Sequence, residues 1–185
     1  MQLIVEGPDG SGKTTLVERI EREYGLTRRP RAVSSEAKAL RPIDDYVEEE
    51  LAAGPGLRFY DRFALISSPM YIPLHATMPG RFNDRDWLLM VNELFWNHDP
   101  VIIVCLPPIE EVRKNVAGDD NNKVVWDKID QYYLNYHAWV VSNIARRHKV
   151  TDQASIMVWD YTKPDEKKLQ GHIRYAIAMA EVKGK

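Results

Sequence analysis

The nine residues "GPDGSGKTT", 7 to 15, constrain this chain more than any other stretch. Gly7, Gly12, Lys13 and Thr14 fit the spacing G-x-x-x-x-G-K-[ST]. In that pattern glycines let backbone N–H groups turn inward around phosphate oxygens. Context gives the match its weight. "QLIV" ahead of it reads as a short apolar strand. "KTTLVERIEREYG" behind it carries Leu16, Val17, Ile20 and Tyr24 at helical spacing, with Gly25 as the C-cap. A strand that turns through a glycine loop into a helix sets the positive end of that helix against an anion. Lys13 then places its charge on β and γ phosphates, and Thr14 offers a hydroxyl to Mg²⁺. The expectation is a site for ATP and Mg²⁺, its phosphate-binding stretch being Gly7, Asp9, Gly10, Ser11, Gly12, Lys13, Thr14 and Thr15.

The rest of the chain alternates strands with helices. Apolar runs predict strands at 2–5, 26–33, 57–61, 99–108 and 154–160. Helical periods predict helices at 34–54 in two pieces divided at Pro42, then at 84–98, 109–116, 124–148 and 163–183. Such alternation predicts an α/β fold: a parallel five-stranded sheet with helices on both faces, in one domain spanning 1–185. In such sheets ligands bind beyond the carboxyl ends of the strands, so the residues after "LIVE", "LRFY", "VIIVCL" and "IMVW" are the first to read for chemistry.

Composition narrows the classes. The chain has 185 residues, 44% hydrophobic and 28% charged, enough to bury a core without staples. The net charge of −2 argues against a general nucleic-acid coat and leaves a local basic patch, such as "ARRHK" at 145–149, open. Cys105, the one cysteine, lies in an apolar run and reads as a buried structural thiol. With no signal-like start and no long apolar span, a cytoplasmic protein without a membrane partner is expected. The five histidines show no metal-ligand spacing.

Two carboxylates stand where phosphates are expected. Asp9 sits inside the loop, and a carboxylate aimed at phosphates repels them. Its side chain is better explained facing away, toward a second ligand or an arginine. "LRFYDRF" puts Asp61 and Arg62 at the carboxyl end of a strand. Asp61 there can hold a magnesium-bound water or take the proton from an attacking oxygen, and Arg62 can clamp a phosphate in a bidentate fork. Lys13, Asp61 and Arg62 are the candidate catalytic residues; Thr14 and Asp61 are the candidate Mg²⁺ ligands.

"GPDGSGKTT", "YDRFALISSPMY" and "LTRRP" together resemble the thymidylate kinases. The resemblance implies the nucleoside-monophosphate-kinase fold, with ATP in the loop and a small nucleotide acceptor opposite, thymidylate first. It implies Asp9, Arg28, Arg29, Arg62, Phe63 and Tyr71 as acceptor-side residues, Phe63 and Tyr71 lining a base pocket or else filling the core. It also implies a homodimer, and backbone contact to adenine near Tyr161 and Thr162. The pattern departs from the family in its cations. Thymidylate kinases bring an arginine in the loop or in a lid, whereas this loop has Gly10 and Ser11. The lid region near 117–124 reads "AGDDNNK", leaving Arg113, Lys114 and Lys123 as lid candidates. An acceptor of another kind (a deoxynucleoside, or a modified base hydroxyl, free or in DNA) therefore stays open. So does a P-loop ATPase or binding module, although Pro107 and Pro108 follow "VIIVCL" where such an ATPase would carry an Asp.

Overall fold

The computed structural model describes residues 1–29, 49–50, 52–54, 56–63, 66–67, 70, 100–117, 127–147 and 155–184. Among the described residues four strands form one parallel sheet: β1 (Gln2–Glu6), β2 (Arg58–Asp61), β3 (Val101–Cys105) and β4 (Ser155–Trp159), in the order β2-β1-β3-β4. Val5 pairs with Asp61 on one side, and Glu6 with Val104 on the other. The strand expected over 26–33 is not formed as a strand among the described residues. It is reduced to a parallel bridge between Arg28 and Phe59, where the Arg29 N–H donates to Phe59 O at 2.8 Å. Residues 30–33 lie outside the described residues.

Every residue of β1, β2 and β3 is buried, as suits strands covered on both faces. The alternation of side chains divides them between two layers. Leu3, Val5, Val101, Ile103, Met157 and Trp159 meet Leu16, Val17 and Ile20 of α1 (Lys13–Tyr24) in one core. Leu169, Ile173, Ala176 and Ala180 of the closing helix join the same core. On the opposite face the long helix reaches the sheet through Tyr136, whose hydroxyl donates to Glu6 at 2.9 Å. Val112 and Val116 of α2 (Ile109–Val116) pack with Ile129 and Tyr132 of that long helix, α3 (Ile129–Arg147).

Helix ends follow local chemistry. α1 stops at Gly25, which has a φ of +65° and donates its N–H to Glu21 O at 3.0 Å. α3 begins at Ile129, later than the expected 124, after a turn at 127–128. α4 (Glu166–Lys183) begins later than 163, because Pro164 precedes an Asp165 cap whose side chain accepts the Lys168 N–H at 3.0 Å. Arg19 grips Glu166 with two bonds of 2.8 and 2.7 Å, joining α1 to the start of α4. Among the described residues no helix is long and apolar enough to cross a membrane. The expected helix at 84–98, nearly all of the stretch 34–54 and the lid beyond residue 117 lie outside the described residues, as does the basic patch 145–149 in its side chains.

Candidate active site

The carboxyl ends of β1, β2 and β3 bring the sequence motifs together. Residues 7–12 leave β1 and re-enter as α1, with Gly7, Gly10 and Gly12 at φ values of +140°, +74° and +81°. The loop curls around the carbonyl of Pro8, which accepts from the Lys13 ammonium at 2.8 Å and the Ser11 N–H at 3.3 Å. Thr14 and Thr15 are exposed on the first turn of α1, and that turn carries no acidic residue to oppose an anion. Ser11 is buried, and its Oγ has no hydrogen-bond partner among the described residues.

Lys13 is 5% exposed. Burial, with Arg62 adding to the effect, lowers its pKa to about 8. Its nearest carboxylate is Asp9, at 3.8 Å. The principal partner of Asp9 is Arg62, whose guanidinium donates to it. The awkward loop carboxylate thus points at an arginine, one of the two explanations its position admits.

Arg62 is held in an unusual way. It has a φ of +68°, the one positive φ of a non-glycine among the described residues, a conformation that costs an L-residue ~1–2 kcal/mol. Two bonds hold the turn from either side. The Arg62 N–H donates to Val5 O at 2.9 Å, and the Phe63 N–H donates to the Glu6 carboxylate at 2.5 Å. Glu6 is fully buried, and burial raises its pKa against the pull of Arg62. Sequence reading passes over Glu6, because the end of an apolar strand looks like a polar stop. Its signal is a carboxylate with no room to reach water, directly before the glycine loop.

Asp61 is 1% exposed and lies 3.4 Å from Arg28, which is gripped in turn by Glu21 at 2.9 Å. Arg29, offered beside Arg28 as acceptor-side charge, has an exposed side chain. Phe63, expected to line a base pocket or fill the core, is 1% exposed and packs edge-on against Tyr60 at 5.1 Å. Its ring is part of the buried core. Tyr71 and Lys123 lie outside the described residues. Of the other lid candidates, Arg113 holds Asp130 of α3 through bonds of 2.8 and 2.7 Å, and Lys114 lies 3.9 Å from Glu111. Neither of these contacts is to the loop. From α2 the side chain of Asn115 donates to Gly10 O of the loop at 2.8 Å.

Thr14 and Asp61 offer an alcohol and a carboxylate, the hard oxygen donors that suit Mg²⁺. Among the described residues no group of three or more His, Cys, Asp or Glu gathers as a metal cage. A magnesium ion shared with substrate phosphates and waters needs no such cage.

No family model matches this chain, and no curated protein sequence matches it. Solved structures do. YorR from Bacillus subtilis, in complex with phosphorylated GDP, is 17% identical over 98% of both chains, with a TM-score of 0.67. Deoxyadenosine kinase from M. mycoides with bound dATP is 13% identical over 99% of this chain and 98% of its own, with a TM-score of 0.52. The same enzyme with the products dCMP and dCDP is 14% identical, with a TM-score of 0.52. At these identities the likeness is one of fold, the parallel α/β architecture that this chain shares with those structures.

Proposed function

We propose that the chain transfers the γ phosphoryl group of ATP to a small nucleoside-type acceptor. The observation that supports this best is the ion pair between Asp9 and Arg62. It draws together the phosphate loop and the end of β2, so that Asp61 and Arg62 stand beside the donor phosphates. A simple ATPase also needs a carboxylate for its Mg²⁺; what it does not need is a loop carboxylate turned onto an arginine at the end of a second strand.

In this reading a phosphate oxygen takes over the two donors that Pro8 O now holds, the Lys13 ammonium and the Ser11 N–H. Thr14 and Asp61 would hold Mg²⁺, which would supply further charge neutralisation. The acceptor oxygen forms a bond to Pγ as the bond from Pγ to the β-phosphate oxygen breaks, and ADP leaves. Where the acceptor is a hydroxyl, its proton passes to Asp61. Arg62 offsets charge on the transferring group, a positioning and electrostatic role that dominates phosphoryl transfer.

The sequence resemblance puts the acceptor as a deoxynucleoside monophosphate, dTMP going to dTDP. One observation favours a second reading, the 5′ hydroxyl of a deoxynucleoside. Around the site Lys13, Arg28 and Arg62 face Glu6, Asp9, Glu21 and Asp61, and both arginines are already paired with carboxylates. Such a neutralised acceptor side suits an uncharged hydroxyl better than a phosphate dianion. The deoxyadenosine kinase neighbours agree with that reading.

The deciding experiment incubates the protein with ATP, Mg²⁺ and a panel of deoxynucleosides, monophosphates and hydroxymethylated DNA, following ADP and phosphorylated products. Acceptor-dependent ADP release is expected, and product identity chooses between the two readings. ADP release indifferent to every acceptor would sink the kinase in favour of an ATPase. Lys13→Ala and Asp61→Ala are each expected to lower kcat by at least about a hundredfold with the fold intact.

A further inference from the structure

We infer that Asn115 and Tyr161 form a clamp that fixes the phosphate loop from outside, making them positioning residues for the donor nucleotide. The inference rests on the kinase reading for its consequence and on geometry for its existence.

The side-chain amide of Asn115 donates twice, to Gly10 O at 2.8 Å and to the Tyr161 hydroxyl at 2.9 Å. Both of its N–H bonds are therefore engaged. Asn115 belongs to α2, Tyr161 follows β4 and Gly10 lies at the apex of the loop, so one amide joins three separate parts of the chain. The ring of Tyr161 completes the grip. A methyl group at Gly12 would lie 3.0 and 3.2 Å from two of its carbons. At Gly10 a methyl group would lie 2.5 Å from Val116 Cγ2 and 2.8 Å from Val112 O. The loop is thus seated against α2 at Gly10 and against the tyrosine ring at Gly12.

Planarity of the peptide carries the effect inward. With Gly10 O drawn toward α2, the trans peptide directs the Ser11 N–H the opposite way. That N–H donates to Pro8 O, the acceptor it shares with Lys13. A donor set already oriented before the ligand arrives loses less freedom on binding. The clamp should therefore act on donor affinity more than on the chemical step.

The test compares wild type with three variants. Tyr161→Phe keeps the ring on Gly12 and loses the hydroxyl arm. Asn115→Ala loses both arms. Asn115→Asp keeps the shape but sets a carboxylate oxygen against Gly10 O, turning attraction into repulsion. Hydrogen exchange of the ligand-free protein reads the clamp directly. Amides of residues 9–14 are expected to exchange faster in Asn115→Ala and fastest in Asn115→Asp, while core-strand amides are unchanged. The KM for ATP is expected to rise about threefold, tenfold and thirtyfold in the order given. The KM for the acceptor and kcat should stay within about twofold. Unchanged loop exchange in Asn115→Asp overturns the clamp. So does a loss spread equally over kcat and both KM values. If the loop exchanges faster as expected but calorimetry finds no ATP binding to the wild type, the clamp stands and the kinase reading falls.

Discussion

Lys13 carries the clearest pH signature among single residues. Burial and then Arg62 lower its pKa from 10.5 to about 8. Between those values the folded protein holds fewer protons than the unfolded chain, so this group makes the ligand-free protein more stable as pH rises across that window. An arriving triphosphate reverses the balance by favouring the ammonium. ATP binding is therefore expected to take up a proton, from almost none near pH ~6 to most of one near pH ~9. Calorimetry in buffers of different ionisation enthalpy measures it; uptake that is flat with pH would refute the role given to Lys13. At this scale the sequence is uneven. Asp9 is legible, since a carboxylate in a phosphate loop demands another partner and Arg62 is that partner. Glu6 is not, because Tyr136, which helps to satisfy it, lies 130 residues away and no local pattern announces it.

Elements are legible where punctuation is local. Gly25 closes α1 as its position after an amphipathic run predicts, whereas α4 opens behind an Asp165 cap, later than the expected 163. Of the strand expected over 26–33, residues 26–29 make one parallel bridge, Arg28 to Phe59, and 30–33 lie outside the described residues. What the element pattern hides is which loop face meets which helix. Gly10 and Gly25 have similar φ values, +74° and +65°, in different surroundings. A methyl group at Gly25 meets nothing within 4 Å, whereas one at Gly10 meets Val116 and Val112. Gly25→Ala is expected to cost ~1–2 kcal/mol from backbone strain. Gly10→Ala should cost ~2–4 kcal/mol, because overlap with α2 adds to that strain. Urea midpoints check the order. Val116→Ala in the Gly10→Ala background should recover part of the difference; strict additivity of the pair would rule out the contact as its cause.

Across the whole molecule, alternation of strands and helices is enough to foresee a parallel sheet, and a sheet order with β1 between β2 and β3 places the loop at a switch point where ligands bind. The charge pattern that makes this switch point work is a tertiary property. Glu6 shows why: it joins β1, the turn after β2 and α3 through a single carboxylate. Removing it leaves the Phe63 N–H and the Tyr136 hydroxyl short of a buried acceptor, so Glu6→Ala should cost ~2–4 kcal/mol. Glu6→Gln keeps one acceptor oxygen and separates packing from charge. Because burial raises the pKa of Glu6 above 4.5, the folded state holds this proton more firmly than the unfolded chain. The stability from that proton is complete below the ordinary value and is lost as pH rises through the folded value. Glu21, Asp130 and Glu166, whose pKa values are lowered by hydrogen bonds from arginines, act in the opposite direction and lose their contribution as pH falls. Glu6→Gln removes only the first of these trends. Relative to wild type, its stability should improve as pH rises above ~4.5, measured by urea unfolding at a series of pH values. A difference that is flat with pH, or that shrinks toward neutrality, would mean that Glu6 carries no such proton and holds the turn by hydrogen bonding alone.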